Sequence, residues 1–296
     1  MQTSKPLYTI MLGITALTVA FPAFAARTPW AIRHADDEVF AGIGYDMWRY
    51  QEATNGVPID SQSGGLTVYT AGLSHIGRHD EGLYARLQLT AAFGTTRYQG
   101  NGALGLPAQG STANRITAAD GRLGLVINGL WWDSHTVLIP YLGAGFHRFV
   151  RAAGPDNVNP GGTTLTAAHL GIGLGIDYAL DRRWVLTLHA FTGYTLGAQI
   201  IATAPVAYDT ATGTLESARL TEPLSDRPYT VLGLTIRYRV DPYLDIAFAV
   251  RRATWSAAGA APIPIAGPSG ETLGMTRLPG SQSAETTMLI EAATPF

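Results

Sequence analysis

The segment from Leu83 to Phe93 places Leu83, Ala85, Leu87, Leu89, Ala91 and Phe93 on alternate positions, with Tyr84, Arg86, Gln88, Thr90 and Ala92 between them. Side chains alternate across a strand, so this period of two predicts a strand whose faces meet different surroundings. The alternation returns as Val39, Ala41, Ile43, Tyr45, Met47 against Gly42, Gly44, Asp46, Trp48. It returns again as Leu170, Ile172, Leu174, Ile176, Tyr178 against Gly171, Gly173, Gly175, Asp177. A chain that repeats such segments is confined to sheets that separate two solvents.

Composition identifies those solvents. Only 14% of the residues are charged, against ~25% in ordinary soluble domains. A water-soluble barrel of the lipocalin kind would turn its apolar residues inward and its charges outward; here the polar faces carry glycine and few charges, a poor exterior for water. After Ala25 no apolar run reaches the ~18 residues that a membrane helix needs. Backbone groups in lipid must be satisfied internally, and the closed β-barrel achieves this without long apolar runs. The expected fold is therefore all-β: an antiparallel up-and-down transmembrane barrel.

Strands are expected near 38–50, 65–77, 82–98, 116–131, 136–150, 165–180, 183–197, 228–240, 243–255 and 284–296. That makes ten, with eight or twelve as alternatives, since Gly72 and Ser74 blur the second. Gly77 to Glu81, Trp132 to His135, Asp181 with Arg182, and Asp241 with Pro242 read as short turns. They alternate with long Gly-, Pro- and Thr-rich loops at 51–64, 99–115, 151–164, 198–227 and 256–283, the layout of short periplasmic turns and long extracellular loops. Aromatic residues gather near both ends: Tyr84, Trp131, Trp132, Tyr178, Trp184, Tyr243 and Phe296 by the turns, and Trp48, Phe93, Tyr98, Phe149, Tyr194 and Trp255 by the loops. Two lipid-interface belts are the expected meaning.

The chain opens with Lys5, an apolar run from Leu7 to Phe21, and then Pro22, Ala23, Phe24, Ala25. This is the order of a secretory signal peptide, with cleavage between Ala25 and Ala26; the apolar run is short for an N-terminal membrane anchor, which needs about 20 residues. The expected organisation is a signal peptide at 1–25, a short periplasmic segment at 26–37 and one barrel at 38–296, in the outer membrane of a Gram-negative bacterium. With no cysteine in the chain, an exported protein of this size relies on hydrogen bonding and packing, not disulfides. The only lysine is Lys5, so beyond the leader 19 Arg face 22 Asp plus Glu, a balance that gives no footprint for nucleic acid.

The segments Pro140–Tyr141–Leu142–Gly143–Ala144–Gly145–Phe146 and Gly171 to Tyr178 resemble the glycine-rich strands of the OmpA-type and opacity-type small outer-membrane barrels. Terminal Phe296 resembles the aromatic that the outer-membrane assembly machinery recognises in such proteins. The resemblance covers the strands and leaves the loops aside. It implies barrel assembly machinery and periplasmic chaperones as partners during biogenesis, and outer-membrane lipid and lipopolysaccharide as surroundings. Those barrels usually have eight strands; ten strands and nearly this length are also found in the omptin proteases. An omptin-like site requires acidic residues and a His–Asp pair at the outer rim to activate water. His147 and Asp156 are the only candidates, with no matched acidic pair opposite. A lipid-directed hydrolase could use Ser134 and His135, but neighbours on a strand point to opposite faces, and in a short connection both read as turn formers.

The more informative residues are nine inward charges: Asp46, Arg86, Arg122, Asp177, His189, Arg237, Asp245, Arg251 and Glu291. With a turn at Asp241–Pro242 and Arg239 facing Tyr243, antiparallel register would set Arg237 opposite Asp245. Charges in a barrel must pair or be hydrated, so these residues are expected to form a network in the lower lumen, with glycines of the first, fifth and sixth strands making room. That network closes the lumen or, if water passes, sets its selectivity. No histidine pair is spaced i and i+4 with a Glu between, and no phosphate loop appears; Gly171 to Gly175 lies within a strand, not before a helix. No metal or cofactor is expected. The function read from the sequence is a non-enzymatic barrel, serving as an anchor for surface loops or as a narrow small-solute channel, with a small solute or an external ligand at the loops as a partner; a rim hydrolase is the alternative.

Overall fold

The computed structural model describes residues 28–54, 57–77, 82–101, 107–128, 134–152, 162–209, 214–224, 227–257, 263–266, 272–276 and 280–296. The expected leader and its cleavage site at Ala25 and Ala26 lie outside the described residues, as do Trp131, Trp132 and Asp156. Helix α1 (Trp30–Asp36) precedes the strands β1 (Glu38–Thr54), β2 (Val57–Ile76), β3 (Leu83–Asn101), β4 (Pro107–Leu125), β5 (Ile127–Asn128), β6 (Thr136–Arg151), β7 (Thr163–Ala179), β8 (Trp184–Asp209), β9 (Thr214–Pro223), β10 (Pro228–Asp241), β11 (Leu244–Ala257), β12 (Ile263–Ala266), β13 (Thr272–Thr276) and β14 (Gly280–Pro295).

Ten of these strands close a barrel in which every strand pairs antiparallel with both neighbours, in the order β1, β2, β3, β4, β6, β7, β8, β10, β11, β14 and back to β1. Closure leaves no edge with unpaired backbone in lipid. The ten match the expected strands one for one. β5 continues β4 past a break at Val126, β9 folds back on β8, and β12 pairs with β13 and touches β8.

The alternation sorts the faces as composition demands. Ile43, Leu89, Leu123, Leu142, Ile172, Leu188, Leu232, Phe248 and Ile290 are exposed on the outer wall, a continuous apolar band that lipid covers. The carboxylates Glu38, Asp46, Asp177, Asp245 and Glu291 are buried inside.

Three expectations are corrected. The regions read as long loops at 51–64, 99–115 and 198–227 are largely strand: β1 and β2 pair to Thr54 and Val57, β3 and β4 to Asn101 and Pro107, and β8 with β9 to Asp209 and Thr214. Beyond the lipid both faces of a hairpin meet water and tolerate polar residues, so the period of two fades while the backbone ladder continues. The second correction concerns the upper aromatic belt. Phe93 and Tyr194 do face outward, but Trp48, Tyr98, Phe149 and Trp255 are buried inside, since Trp48 shares its phase with Asp46. At the turn end Tyr178, Trp184, Tyr243 and Phe296 are exposed as expected, whereas Tyr84 is buried.

The third correction is one of register. The turn after β10 is Pro242–Tyr243, with the Asp241 carboxylate accepting from the Tyr243 backbone N–H at 2.7 Å. Asp241 pairs with Leu244, a bulge follows, and Arg239, not Arg237, comes opposite Asp245; Arg237 faces Ala247. Asx capping of the tight turn displaces the ladder by two residues from the expected pairing.

Candidate functional site: the polar lumen

The lumen is built in layers. At the short-turn rim α1 enters the barrel mouth, with Ile32 fully buried and Ala31, Ala35 and Asp36 buried beside it against Ile76, Tyr84, Val126, Val137, Ile139 and Val185. A seven-residue helix is unstable alone, so tertiary contacts hold it. Thr28 Oγ1 donates to Asn128 Oδ1 at 2.9 Å, Asp37 Oδ1 lies 2.5 Å from His75 Nδ1, and the Phe296 N–H donates to the Asp37 carbonyl at 3.0 Å. The Arg239 guanidinium lies 4.0 Å above the Trp30 ring while its Nε is 3.5 Å from Asp245 Oδ1. Arg237 pairs with Glu38, whose side chain is fully buried. Burial raises the Asp36 carboxyl above the usual carboxylate range, with nearby Arg237 opposing.

Above α1 lies a cavity of ≈ 60 Å³ whose lining includes Asp36, Arg86, Arg122, Asp177, His189, Arg251 and Glu291. Six of the nine charges singled out in the sequence therefore converge on one space; Arg237 and Asp245 are buried elsewhere in the lower lumen. Asp177 accepts from Thr187 Oγ1 at 2.6 Å. Close packing of these groups rests on glycine: the His189 ring occupies the space that a Cβ at Gly233 would need, and the Tyr141 ring does the same at Gly173. Glycine is the residue that permits such approach between neighbouring strands.

A second cavity of ≈ 50 Å³ follows, lined by Asp46, Asp120, His147, His169, Tyr229, Arg251, Trp255 and Glu285 among others. Asp120 Oδ1 lies 3.0 Å from His169 Nε2, and the His169 ring stacks on Tyr229 with centroids 4.5 Å apart. Arg251 donates to the Tyr229 hydroxyl at 2.9 Å, Trp255 Nε1 to Glu285 at 3.3 Å, and Thr287 to Asp46 at 3.2 Å. His147 is buried, its ring tilted against Trp255 with centroids 4.8 Å apart. The sequence reading missed Asp120, His169 and Glu285; Asp120 shares the inward phase of Arg122 two residues on, a signal that would have found it.

Beyond this cavity, toward the long hairpins, Trp48 stacks on Phe149 at 4.8 Å and on Tyr50 at 5.6 Å. The Tyr50 hydroxyl donates to Glu52 at 2.8 Å, and Arg151 lies 3.6 Å from Glu52 while donating to Thr163 at 3.1 Å. Gln62, Thr112, Thr96 and Asn114 are buried and hydrogen-bonded across the same layer. Ser134 and His135 form a turn, with His135 beside Tyr178. Among the described residues no group of three or more His, Asp or Glu is placed to hold a metal ion.

Neither a family model nor a curated protein matches the chain. Solved structures do. The outer-membrane protease OmpT of Escherichia coli aligns over 88% of this chain and 97% of its own, at 11% identity and a TM-score of 0.51. The transport unit of the E. coli autotransporter AIDA-I covers 97% of each chain at 8% identity, with a TM-score of 0.44. The toluene transporter TbuX of Ralstonia pickettii covers 88% of this chain and 90% of its own at 10% identity, with a TM-score of 0.34. The likeness to OmpT establishes the fold, that of a small outer-membrane barrel, in keeping with the resemblance seen in the strands. At this identity it establishes no activity.

Proposed function

We propose that the protein is a non-enzymatic outer-membrane barrel that anchors extended surface hairpins, with its lumen closed. The observation that carries this reading is the filling of the lumen: α1 and its ion pairs below, the Trp48–Phe149–Tyr50 layer above, and between them cavities of ≈ 60 and ≈ 50 Å³. Each has room for only a few waters, too little for passage of a solute. The buried position of the Asp120–His169 pair beneath the aromatic layer speaks against a rim hydrolase, since a substrate at the surface does not reach it.

Export by the leader at 1–25 and recognition of Phe296 by the assembly machinery belong to the same reading. Phe296 is exposed and tethered beside Asp37, where β14 seals against β1. Lipopolysaccharide as the surrounding lipid is supported by Arg49, Arg97, Arg115, Arg148 and Arg252, which are exposed on the outer wall toward the long-hairpin ends of their strands and suit anionic headgroups.

Planar-bilayer conductance of the refolded mature protein, with Asp245→Asn and Arg237→Ala alongside, tests the proposal. A silent bilayer from folded protein is expected. Discrete steps whose selectivity changes in the variants would replace the anchor by a channel.

A further inference from the structure

The outward faces of five consecutive barrel strands, β10, β11, β14, β1 and β2, carry two rows of polar side chains. Backbone pairing sets Thr230, Thr254, Ala284, Arg49 and Ser63 side by side in one row. It sets Ser256, Gln282, Gln51 and Ser61 side by side in the next row toward the long hairpins. Both rows share the outward phase of exposed Leu232, Met288 and Met47, and together they line a cavity of ≈ 690 Å³ on the outer wall. Short side chains at Ala284, Ser61 and Ser63 leave room between Arg49, Gln51 and Gln282. One row nearer the short turns stand Leu232, Arg252, Thr286, Met47 and Gly65. The exposed Tyr45 ring lies over Gly65, in the space that a Cβ there would need. The cavity thus opens where the apolar band ends and lipid tails give way to headgroups.

Its charge has one sign. On these five strands every carboxylate takes the inward phase except Asp241, at the short-turn end. Arg49 and Arg252 face outward and are exposed, as is Arg97 on β3, which pairs with Ser63. Among the described residues no ion pair engages any of the three. Arg97 lies two strands from Arg49, about 10 Å away; Arg252 lies two strands to the other side and one row lower. At the short-turn end the same strands turn Val39, Leu73, Val240 and Ile246 outward, and no arginine. The wall therefore offers positive charge to one leaflet only, as a bilayer with phosphorylated sugars in its outer leaflet requires.

We infer that the outer-wall cavity binds the phosphorylated sugar headgroup of one lipopolysaccharide molecule. Arg49 donates to a phosphate, and Arg252 and Arg97 meet further anionic groups on either side. Gln51, Gln282, Ser61 and Ser63 hydrogen-bond to sugar hydroxyls, while the acyl chains run down over Met47, Tyr45 and Leu232. The volume falls within the roughly 300–1,000 Å³ of small-molecule sites. A free saccharide would leave the apolar rows below the cavity unused, and a phospholipid would leave the hydroxyl and amide rows unused. The inference rests on lipopolysaccharide as the surrounding lipid and is independent of the state of the lumen.

Native mass spectrometry of the refolded mature protein in detergent tests it, with deep-rough lipopolysaccharide, the same lipid dephosphorylated, and phosphatidylglycerol as probes. Intact lipopolysaccharide is expected to bind more tightly than either of the others. In Arg49→Gln the concentration for half occupancy should rise about tenfold, the loss of one charge-assisted bond; Arg148→Gln on β6, across the barrel, should leave it nearly unchanged. Equal binding of lipopolysaccharide and phosphatidylglycerol, or equal losses in the two variants, would mean attraction to the arginines as a belt and would overturn the site. Protein extracted from its native membrane separates the site from its premise. Lipopolysaccharide absent from wild type would overturn both, whereas retention alike by wild type and Arg49→Gln would overturn the site alone. If Arg49→Gln does not fold, the comparison of the three lipids on wild type decides.

Discussion

The guanidinium of Arg239 lies between the Trp30 ring, 4.0 Å below it, and the Asp245 carboxylate, 3.5 Å from its Nε. One side chain thus joins the N-terminal helix to the β10–β11 hairpin. Trp30 is itself half-exposed, so the cation–π contact contributes about 1 kcal/mol. Trp30→Ala is expected to loosen α1 by about that amount, read as faster thiol labelling of a cysteine placed at Ala31; unchanged labelling would mean the contact does not hold the helix.

The register of the β10–β11 hairpin makes a distinct prediction about coupling. Double-mutant cycles should give appreciable coupling for Arg237 with Glu38 and for Arg239 with Asp245, and none for Arg237 with Asp245. Glu38→Gln leaves Arg237 buried without its partner and should cost about 3 kcal/mol in unfolding free energy. Coupling between Arg237 and Asp245 would restore the register expected from sequence.

Gly233 and His189 form a packing pair. A methyl group at Gly233 collides with the imidazole, so Gly233→Ala should destabilise by about 2 kcal/mol, as overpacking does. The same substitution in a His189→Ala background should cost far less. Equal costs in both backgrounds would show that the ring moves aside freely.

Asp36 links stability to pH. Burial raises its folded-state pKa above the unfolded value, so the folded state favours the protonated acid. The penalty is absent below the unfolded pKa, grows as pH rises from there, and is fully present above the folded pKa. Acidification from neutral pH should therefore raise the thermal midpoint, and Asp36→Asn should flatten the dependence while stabilising the protein at neutral pH. A slope that is unchanged in Asp36→Asn would place its origin elsewhere.

How far residue patterns reach is clear from individual positions. Asp46, Arg86, Arg122, Asp177 and Glu291 could be assigned to the lumen because the period of two fixes which face each side chain takes, and lipid cannot accept a charge. Trp48 carried the same signal in its phase with Asp46, yet its aromatic character suggested the headgroup interface. α1 left little trace, because seven residues bear no periodicity to read.

Alternation within single strands was enough to place ten strands, with eight or twelve as alternatives, and to set which face each residue takes, the inward charges included. Only the tertiary structure decided which charges meet. Partners such as Arg237 with Glu38, Asp120 with His169, or Arg86 with Arg122 lie on different strands, and their pairing depends on turn geometry, a one-residue bulge and the closure of β14 on β1. Those are properties of the assembled barrel, where a register shift of two residues exchanges one ion pair for another without altering the pattern along any strand.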